Sequence, residues 1–393
     1  MKALQHDIYL KFVEKFAVDP VIVRSPGRIN MIGEHTDYND GFVMPAAINK
    51  EAVFAIAPSA NGKTTVYSLK YQQQIEIDLA NPAKVKQPKW ANYLLGVLYQ
   101  FVNNGFRIMP FNCVFGGDIP EGAGLSSSAA IECGFAFALN EVNGLNVPKL
   151  KLITMAQWAE HHYVGVKCGI MDQFASMMGK DGHVIILDCR SLIHRYCPID
   201  LKDYRIILCD TKVKHSLVDS AYNDRRNECE TGVSILKKHY PEVKSLRDAN
   251  AAMLTKHKKE FSAKVYNRCL YVVQEIRRVQ EAGEDLEKGN LKAFGKKMYE
   301  THEGLSKLYE VSCQELDFLV LEASKFSEVL GARMMGGGFG GCTINIVKSD
   351  FAAVFEKQMR ELYKKQFAID MPTYFVDIEG GTSVVSPDIP VLK

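Results

Sequence analysis

Residues 120–130 read Pro-Glu-Gly-Ala-Gly-Leu-Ser-Ser-Ser-Ala-Ala, two glycines and three hydroxyls ahead of an apolar run. Glycines let a backbone come close to a ligand, and the serines are expected to cap the helix that the apolar run predicts. The start of such a helix offers unpaired N–H groups and the positive end of a dipole, which suits an anion such as phosphate. A plain helix-capping turn has the same composition. No lysine follows these glycines, so the stretch is not a Walker loop. The single Gly-Lys-Thr, at Gly62, Lys63 and Thr64, has Ala57 where that motif needs its first glycine, and Gly62 is expected to serve a hairpin.

A second polar stretch, residues 25–38, packs Arg28, Asn30, Glu34, His35, Thr36, Asp37 and Tyr38 between glycines. Carboxylates accept from hydroxyls and an imidazole donates or accepts, so the set could grip a polyol. A surface turn or a metal site fits the same residue types, and chemistry alone leaves the three readings open. In the third stretch, residues 168–173 (CGIMDQ), Asp172 stands among apolar neighbours at a predicted helix start. An acid so placed can take a proton from a hydroxyl nucleophile, or can merely cap the helix. Glu160, beside His161 and His162 on a predicted helix, could bind a cation or simply be exposed. Residues 336–341 (GGGFGG) satisfy G-x-G-x-x-G, yet the segment after them reads as a strand and not the helix a dinucleotide site needs. They predict a tight turn between domains or a wall of the phosphate pocket.

The elements that must position these groups follow from periodicity. Strands are predicted over 21–23, 52–57, 64–69, 74–79 and 111–115, with Gly116 and Gly117 ending the last. Helices are predicted over 90–102, 127–142, 148–163 and 170–178, and strands over 183–189 and 205–209. Residues 216–326 read as mostly helical. Strands at 342–347 and 373–377 flank a helix over 351–367. The order is mixed, so the fold class is α+β. At 393 residues the chain is long enough for two domains, placed at 1–200 and 201–393.

A formal net charge of +2 supplies no bulk field toward nucleic acid or an anionic membrane, and neither partner is expected. The run Lys256, His257, Lys258, Lys259 reads as a solvated face. No signal peptide, apolar span or C-x-x-C pair is visible, and a cytoplasmic enzyme is expected.

Taken together, six blocks resemble the galactokinases of the GHMP kinase family. Residues 27–45 (GRINMIGEHTDYNDGFVMP) are similar to the galactokinase signature, 120–130 to the family ATP loop and 331–342 (GARMMGGGFGGC) to its third motif. Residues 168–173, 188–192 (DCRSL) and 221–229 (AYNDRRNEC) match further blocks in order. The resemblance covers about residues 20–382. It implies a two-domain GHMP kinase fold, an N-terminal domain with a left-handed β-α-β unit and a ferredoxin-like C-terminal domain. It also implies Asp172 as catalytic base, with Arg28 stabilising the transferring phosphate and keeping the base ionised. Glu34, His35, Thr36, Asp37, Gly169 and Tyr222 become sugar contacts. Gly122, Ala123, Gly124, Leu125, Ser126, Ser127 and Ser128 become the ATP loop, with Trp90 beside adenine. Ser128 and Glu160 become Mg²⁺ ligands. The implied activity is ATP-dependent phosphorylation of galactose at its anomeric hydroxyl by a monomer. A kinase for N-acetylgalactosamine or another pyranose, or a sensor that binds ATP and galactose without turnover, is the alternative; related sensors lose part of the loop, whereas Ser128, Ala129 and Asp172 are present here. Met335 stands where many relatives carry Thr, which would alter packing or a hydrogen bond beside the glycines.

Overall fold

The computed structural model describes residues 1–213 and 218–385. Chain order begins with helix α1 (Ala3–Phe16), strands β1 (Val21–Asn30), β2 (Phe42–Val43) and β3 (Pro45–Pro58), and the hairpin of β4 (Thr64–Ser68) and β5 (Gln73–Ile77). Helix α2 (Ala91–Asn103) leads to β6 (Phe111–Gly117). Three helices follow, α3 (Ser127–Val142), α4 (Lys149–Ala159) and α5 (Met171–Met178), then β7 (His183–Asp188) and β8 (His194–Pro198). The later part runs β9 (Tyr204–Asp210), α6 (Val218–Leu236), α7 (Ala251–Lys256), α8 (Ala263–Glu287), α9 (Leu291–Gly304) and α10 (Gln314–Ala323). It ends with β10 (Val329–Met334), β11 (Cys342–Lys348), α11 (Ala352–Phe367), β12 (Thr373–Val376) and β13 (Ser383–Val384).

Six strands in the order β13-β1-β3-β6-β4-β5 form the first sheet. Its one parallel pair, β4 with β6, is joined through β5 and α2, which supplies the expected β-α-β unit. Strand β13 returns from the far end of the chain to pair with β1, Val384 opposite Val23. Four antiparallel strands in the order β10-β11-β9-β12 form a second sheet, with α11 between β11 and β12, as a ferredoxin-like domain requires. A third, small sheet joins β2, β7 and β8. One apolar core reaches from Phe54 and Phe135 to Ile206, Ile344 and Met335, so both parts pack as one body around the space between them.

Three local expectations need correction. Gly116 and Gly117 do not end β6; they pair with Val53 and Ala52. A Cβ on Gly117 would lie 2.9 Å from the Glu51 carbonyl oxygen, so close packing, and not a chain break, calls for glycine there. Gly62 sits in the turn between β3 and β4, which are not a hairpin because β6 lies between them. The helix expected over 148–163 is α4 followed by a π-helical turn, Glu160–Val164. Strand β10 has no strong signal of its own, since Gly331 and the charged Arg333 interrupt its apolar pattern.

Candidate active site

The phosphate-type loop crosses from the edge of β6 to α3, with Gly122 and Gly124 at φ of +76° and +73°. Ser126 occupies the N-cap position of α3 in the left-handed region, φ +56°, and its side chain makes no capping bond. The expected serine cap is therefore absent at this position: the Ser126 hydroxyl donates instead to Oδ2 of Asp172. Without a side-chain cap, the first N–H groups of α3 remain available to an anion, with the helix dipole behind them. The glycine run before β11 faces this loop, since a Cβ on Gly336 or Gly341 would lie within 3.6–3.8 Å of the carbonyl oxygens of Gly124 or Gly122. The run thus packs on the backbone of the loop, and Gly336 and Gly337 line the cavity beside Asp172. Met335 is buried in the main core, and its N–H donates to the Cys342 carbonyl.

Arg28, near the end of β1, ties three parts of the site together. Its backbone N–H donates to Leu125 O at 3.1 Å and its Nη1 to Gly124 O at 2.5 Å. Its Nε and Nη2 meet the two oxygens of Asp172 at 2.8 and 2.9 Å, a bidentate fork. Asp172, in the first turn of α5, is not enclosed in apolar surroundings as its sequence neighbours suggest. Its side chain keeps 24 % exposure, and that exposed edge lines a cavity of about 190 Å³.

Arg28, Glu34, His35, Asp37, Glu160, Cys168, Asp172, Tyr222 and Gly336 line this cavity together. Glu34 is almost wholly committed to the protein. Oε1 accepts from Arg333 Nη1 and Gly336 N, both at 2.9 Å, and Oε2 accepts from Asn30 Nδ2 at 2.8 Å. With about two lone pairs per oxygen, one acceptor position on Oε2 remains for a ligand. Arg333 also donates to the carbonyls of Asn30, Met31 and Met334, so β10 anchors the polar turn. Burial pushes the Asp37 carboxyl up to about 7, with the nearby Asp172 charge adding to the rise. Thr36 does not join the cavity lining: it is buried, and its hydroxyl donates to the carbonyls of Gly33 and Phe42, so it shapes the turn.

Gly169 packs directly under Asp37. A Cβ there would overlap the Asp37 carboxylate. Gly169→Ala should therefore displace Asp37 and raise the KM for the cavity's ligand at least about tenfold, the loss of a charged hydrogen bond. Nucleotide affinity, measured by titration calorimetry, should stay unchanged.

Beyond α3 a second cavity, about 350 Å³, is lined by Ser68, Tyr71, Trp90, Tyr93, Phe115, Ile131 and by Gly122, Ser127 and Ser128 of the loop. Trp90 packs on Phe115 with ring centroids 5.3 Å apart, and its Nε1 donates to Gln73. An aromatic slot opening onto free helix N–H groups suits a nucleobase with its phosphates. Ala123 and Leu125 are buried and hold the loop from beneath.

Between the two cavities lies Glu160, buried at the start of its π-helical turn. The Ser128 hydroxyl bonds it, and Gln173 Nε2 donates to its Oε2 at 2.7 Å. Burial raises the Glu160 carboxyl to about 7, and Glu132, wholly buried on α3, is also raised, by burial and by the nearby Glu160. The Glu160 carboxyl and the Ser128 hydroxyl form a hard oxygen donor set that fits a small divalent cation. Sequence reasoning missed Glu132, Gln173 and Arg333. Glu132, a charge inside the apolar run of α3, was the available signal; Arg333 had none, since its strand has no clear pattern. One other cluster, among the described residues, brings His and Glu within metal distance: His239, His257 and Glu260. Its imidazoles stack 3.7 Å apart at 19°, so their lone pairs run side by side instead of converging, and each ring already bonds Glu260.

Comparison with known proteins agrees with this geometry. A family model described as the galactokinase galactose-binding signature matches residues 10–58, which include the polar turn. Models of the GHMP kinase N-terminal and C-terminal domains match residues 92–180 and 283–365. The galactokinase of Thermotoga maritima is 40% identical over 362 residues, covering 92% of this chain and 99% of that protein. That of Clostridium acetobutylicum is 39% identical over 366 residues, covering 92% and 94%. The crystal structure of Lactococcus lactis galactokinase complexed with galactose superposes with a TM-score of 0.92 at 34% identity, over 97% of this chain and 99% of that one. A mevalonate kinase from Methanococcus jannaschii, 16% identical, shares the fold at a TM-score of 0.64 over 92% of this chain and 99% of that one. By sequence, domain content and structure, this chain belongs to the galactokinases of the GHMP kinase family.

Proposed function

We propose that the protein transfers the γ-phosphoryl group of ATP to the anomeric hydroxyl of α-D-galactose. The observation that carries this reading is the position of Asp172. It is exposed to the polyol-sized cavity and forked by Arg28, which in turn holds the phosphate loop. Galactose would occupy the cavity of Glu34, His35, Asp37 and Tyr222, and ATP the slot of Trp90 and the loop of residues 122–128. On this reading residues before about 200 carry most contacts to both substrates, and those after it close the site through Tyr222 and the glycine run.

Asp172 takes the proton from the anomeric hydroxyl as O1 attacks the γ-phosphorus. The O1–P bond forms, the bond between the γ-phosphorus and the bridging oxygen breaks, and ADP leaves with that electron pair. The anomeric hydroxyl is more acidic than an ordinary alcohol, so one carboxylate suffices. Arg28 and the α3 N–H groups face the charge carried by the transferring group, and most of the acceleration comes from this positioning and neutralisation. Ser128 and Glu160 would hold Mg²⁺, whose charge would offset that of the phosphates. Gln173 keeps Glu160 turned toward Ser128.

A coupled ADP-release assay with a panel of sugars tests this directly. Galactose should give the highest kcat/KM, and glucose, differing only at C4, should fall by about 10³-fold or more because the site's polar groups lose their partner. Preference for N-acetylgalactosamine would replace the substrate, and binding of galactose and ATP without ADP release would make the protein a sensor.

A further inference from the structure

We infer that Tyr38, oriented by Tyr309, is a positioning residue that together with the Gly337 carbonyl holds His35 in a single tautomer, so that it meets the bound ligand as an N–H donor and never as an acceptor. The inference rests on the sugar-kinase reading of the same cavity. Four side chains form a continuous hydrogen-bonded row. His35 Nε2 lies 3.2 Å from the Gly337 carbonyl oxygen, and His35 Nδ1 lies 2.7 Å from the Tyr38 hydroxyl. The Tyr38 hydroxyl is 2.7 Å from that of Tyr309, which is 3.3 Å from Cys229 Sγ.

The direction of every bond in this row follows from its first member. A carbonyl oxygen only accepts, so Nε2 carries the proton. The ring touches no carboxylate: its two nitrogens face a carbonyl and a hydroxyl, and the ring is 5 % exposed. Burial lowers the imidazole to about 4, so it is neutral near pH 7 and Nδ1 must accept. Tyr38 therefore donates to Nδ1, Tyr309 donates to Tyr38, and the Cys229 thiol donates to Tyr309. Each hydroxyl has one proton to give and one lone pair filled, so the row is fully satisfied in this one sense.

The rings also fix where His35 points. Tyr309 and Tyr222 lie with centroids 4.8 and 5.4 Å from it, and Tyr38 meets it edge-on at 5.8 Å. His35 itself has φ of +62°, a left-handed conformation that costs a non-glycine residue energy and is held by such surroundings. At 3.2 Å the bond to Gly337 is long, so Nε2–H can be shared with a ligand oxygen. Glu34 turns the free acceptor position of its Oε2 to the cavity. A neutral His35 locked as a donor gives the opposite polarity at a fixed point, which a sugar oxygen can complement only in one orientation.

The experiment combines long-range ¹H–¹⁵N spectra of the ligand-free protein with galactose kinetics. His35, assigned by comparison with His35→Gln, should show a protonated Nε2 and an unprotonated Nδ1. Tyr38→Phe removes the donor to Nδ1 and leaves only the long bond to the Gly337 carbonyl, so the ring should show a mixture of the two tautomers. Its KM for galactose should rise about 3- to 10-fold, the worth of one hydrogen bond. Its kcat should stay within about 2-fold, since the interaction is made in ground and transition states alike. Tyr309→Phe leaves the Tyr38 donor in place, so it should keep the tautomer and shift KM less than Tyr38→Phe does. A wild-type ring protonated at Nδ1 overturns the inference, as does a Tyr38→Phe enzyme with unchanged KM. Should the wild-type protein turn over no galactose, the functional reading fails instead, while the spectra still decide the hydrogen-bonded row.

Discussion

Asp172→Ala should lower kcat by about 10³-fold or more while leaving nucleotide binding intact, the scale expected when a positioned proton acceptor is removed. The carboxylate has a divided allegiance. Oδ1 accepts from Arg28 Nε, whereas Oδ2 accepts from both Arg28 Nη2 and Ser126 Oγ. With Oδ2 saturated, the remaining lone pair on Oδ1 is the acceptor left for a substrate hydroxyl. The loop N–H groups do not depend on that oxygen, so ADP should bind the variant within about 3-fold of wild type by titration calorimetry, as expected for a contact absent from the nucleotide. Removing the carboxylate also strands the buried Arg28 charge, which weakens the fold. Asp172→Asn, which keeps the shape and a carbonyl acceptor for Arg28, is the companion variant for that reason. Residual turnover within about tenfold of wild type in both variants would remove Asp172 from the chemistry, since a base is worth far more.

How much of this was legible before folding depended on whether a group's partners lie near it in the chain. The loop around Gly122 and Ser128 could be read because its phosphate-binding property is local, two glycines and a helix start. Helix α3 has the predicted limits for the same reason: a long, mostly apolar run is bounded by loops on both sides. Glu160 was ambiguous because its meaning lies in Ser128 and Gln173, which other elements bring to it. The polar turn stayed open among three readings because its residue types alone do not say which groups are consumed by the fold. The structure divides them: Thr36 is spent on backbone carbonyls, Glu34 is mostly spent on Arg333 and Gly336, and Asp37 faces the cavity. Arg333 went unread because its own strand carries no clear pattern and its partners, Glu34 and the carbonyls of Asn30 and Met31, lie 299 to 303 residues away in sequence. The two glycines of β6 misled for a different reason. A glycine that ends a strand and one required by close packing across a sheet look alike until the neighbouring chain is in place.

Arg28→Met should lower kcat by about 10²- to 10³-fold and, unlike the Asp172 variants, also weaken nucleotide binding. The difference follows from what Arg28 touches. Its guanidinium is 6 % exposed, forked onto Asp172 and bonded to the Gly124 carbonyl, while its backbone N–H holds Leu125. One side chain thus sets the distance between the proton acceptor and the loop that is to hold the phosphates. In Arg28→Met the backbone bond to Leu125 remains, but the cation and the Gly124 contact are lost. The Gly124 turn, in a left-handed conformation, then loses its side-chain anchor, while the buried Ala123 and Leu125 still hold the rest of the loop. Arg28→Lys separates charge from geometry. A lysine restores the cation but is a point donor, unable to span both oxygens of Asp172 and the Gly124 carbonyl at once. It should recover less than about a tenth of the lost activity if the fork is what matters, since each lost bond to a charged group costs about tenfold. Full activity in Arg28→Lys, measured by the same ADP-release assay, would mean that charge alone suffices and that the fork between loop and base has no part in catalysis.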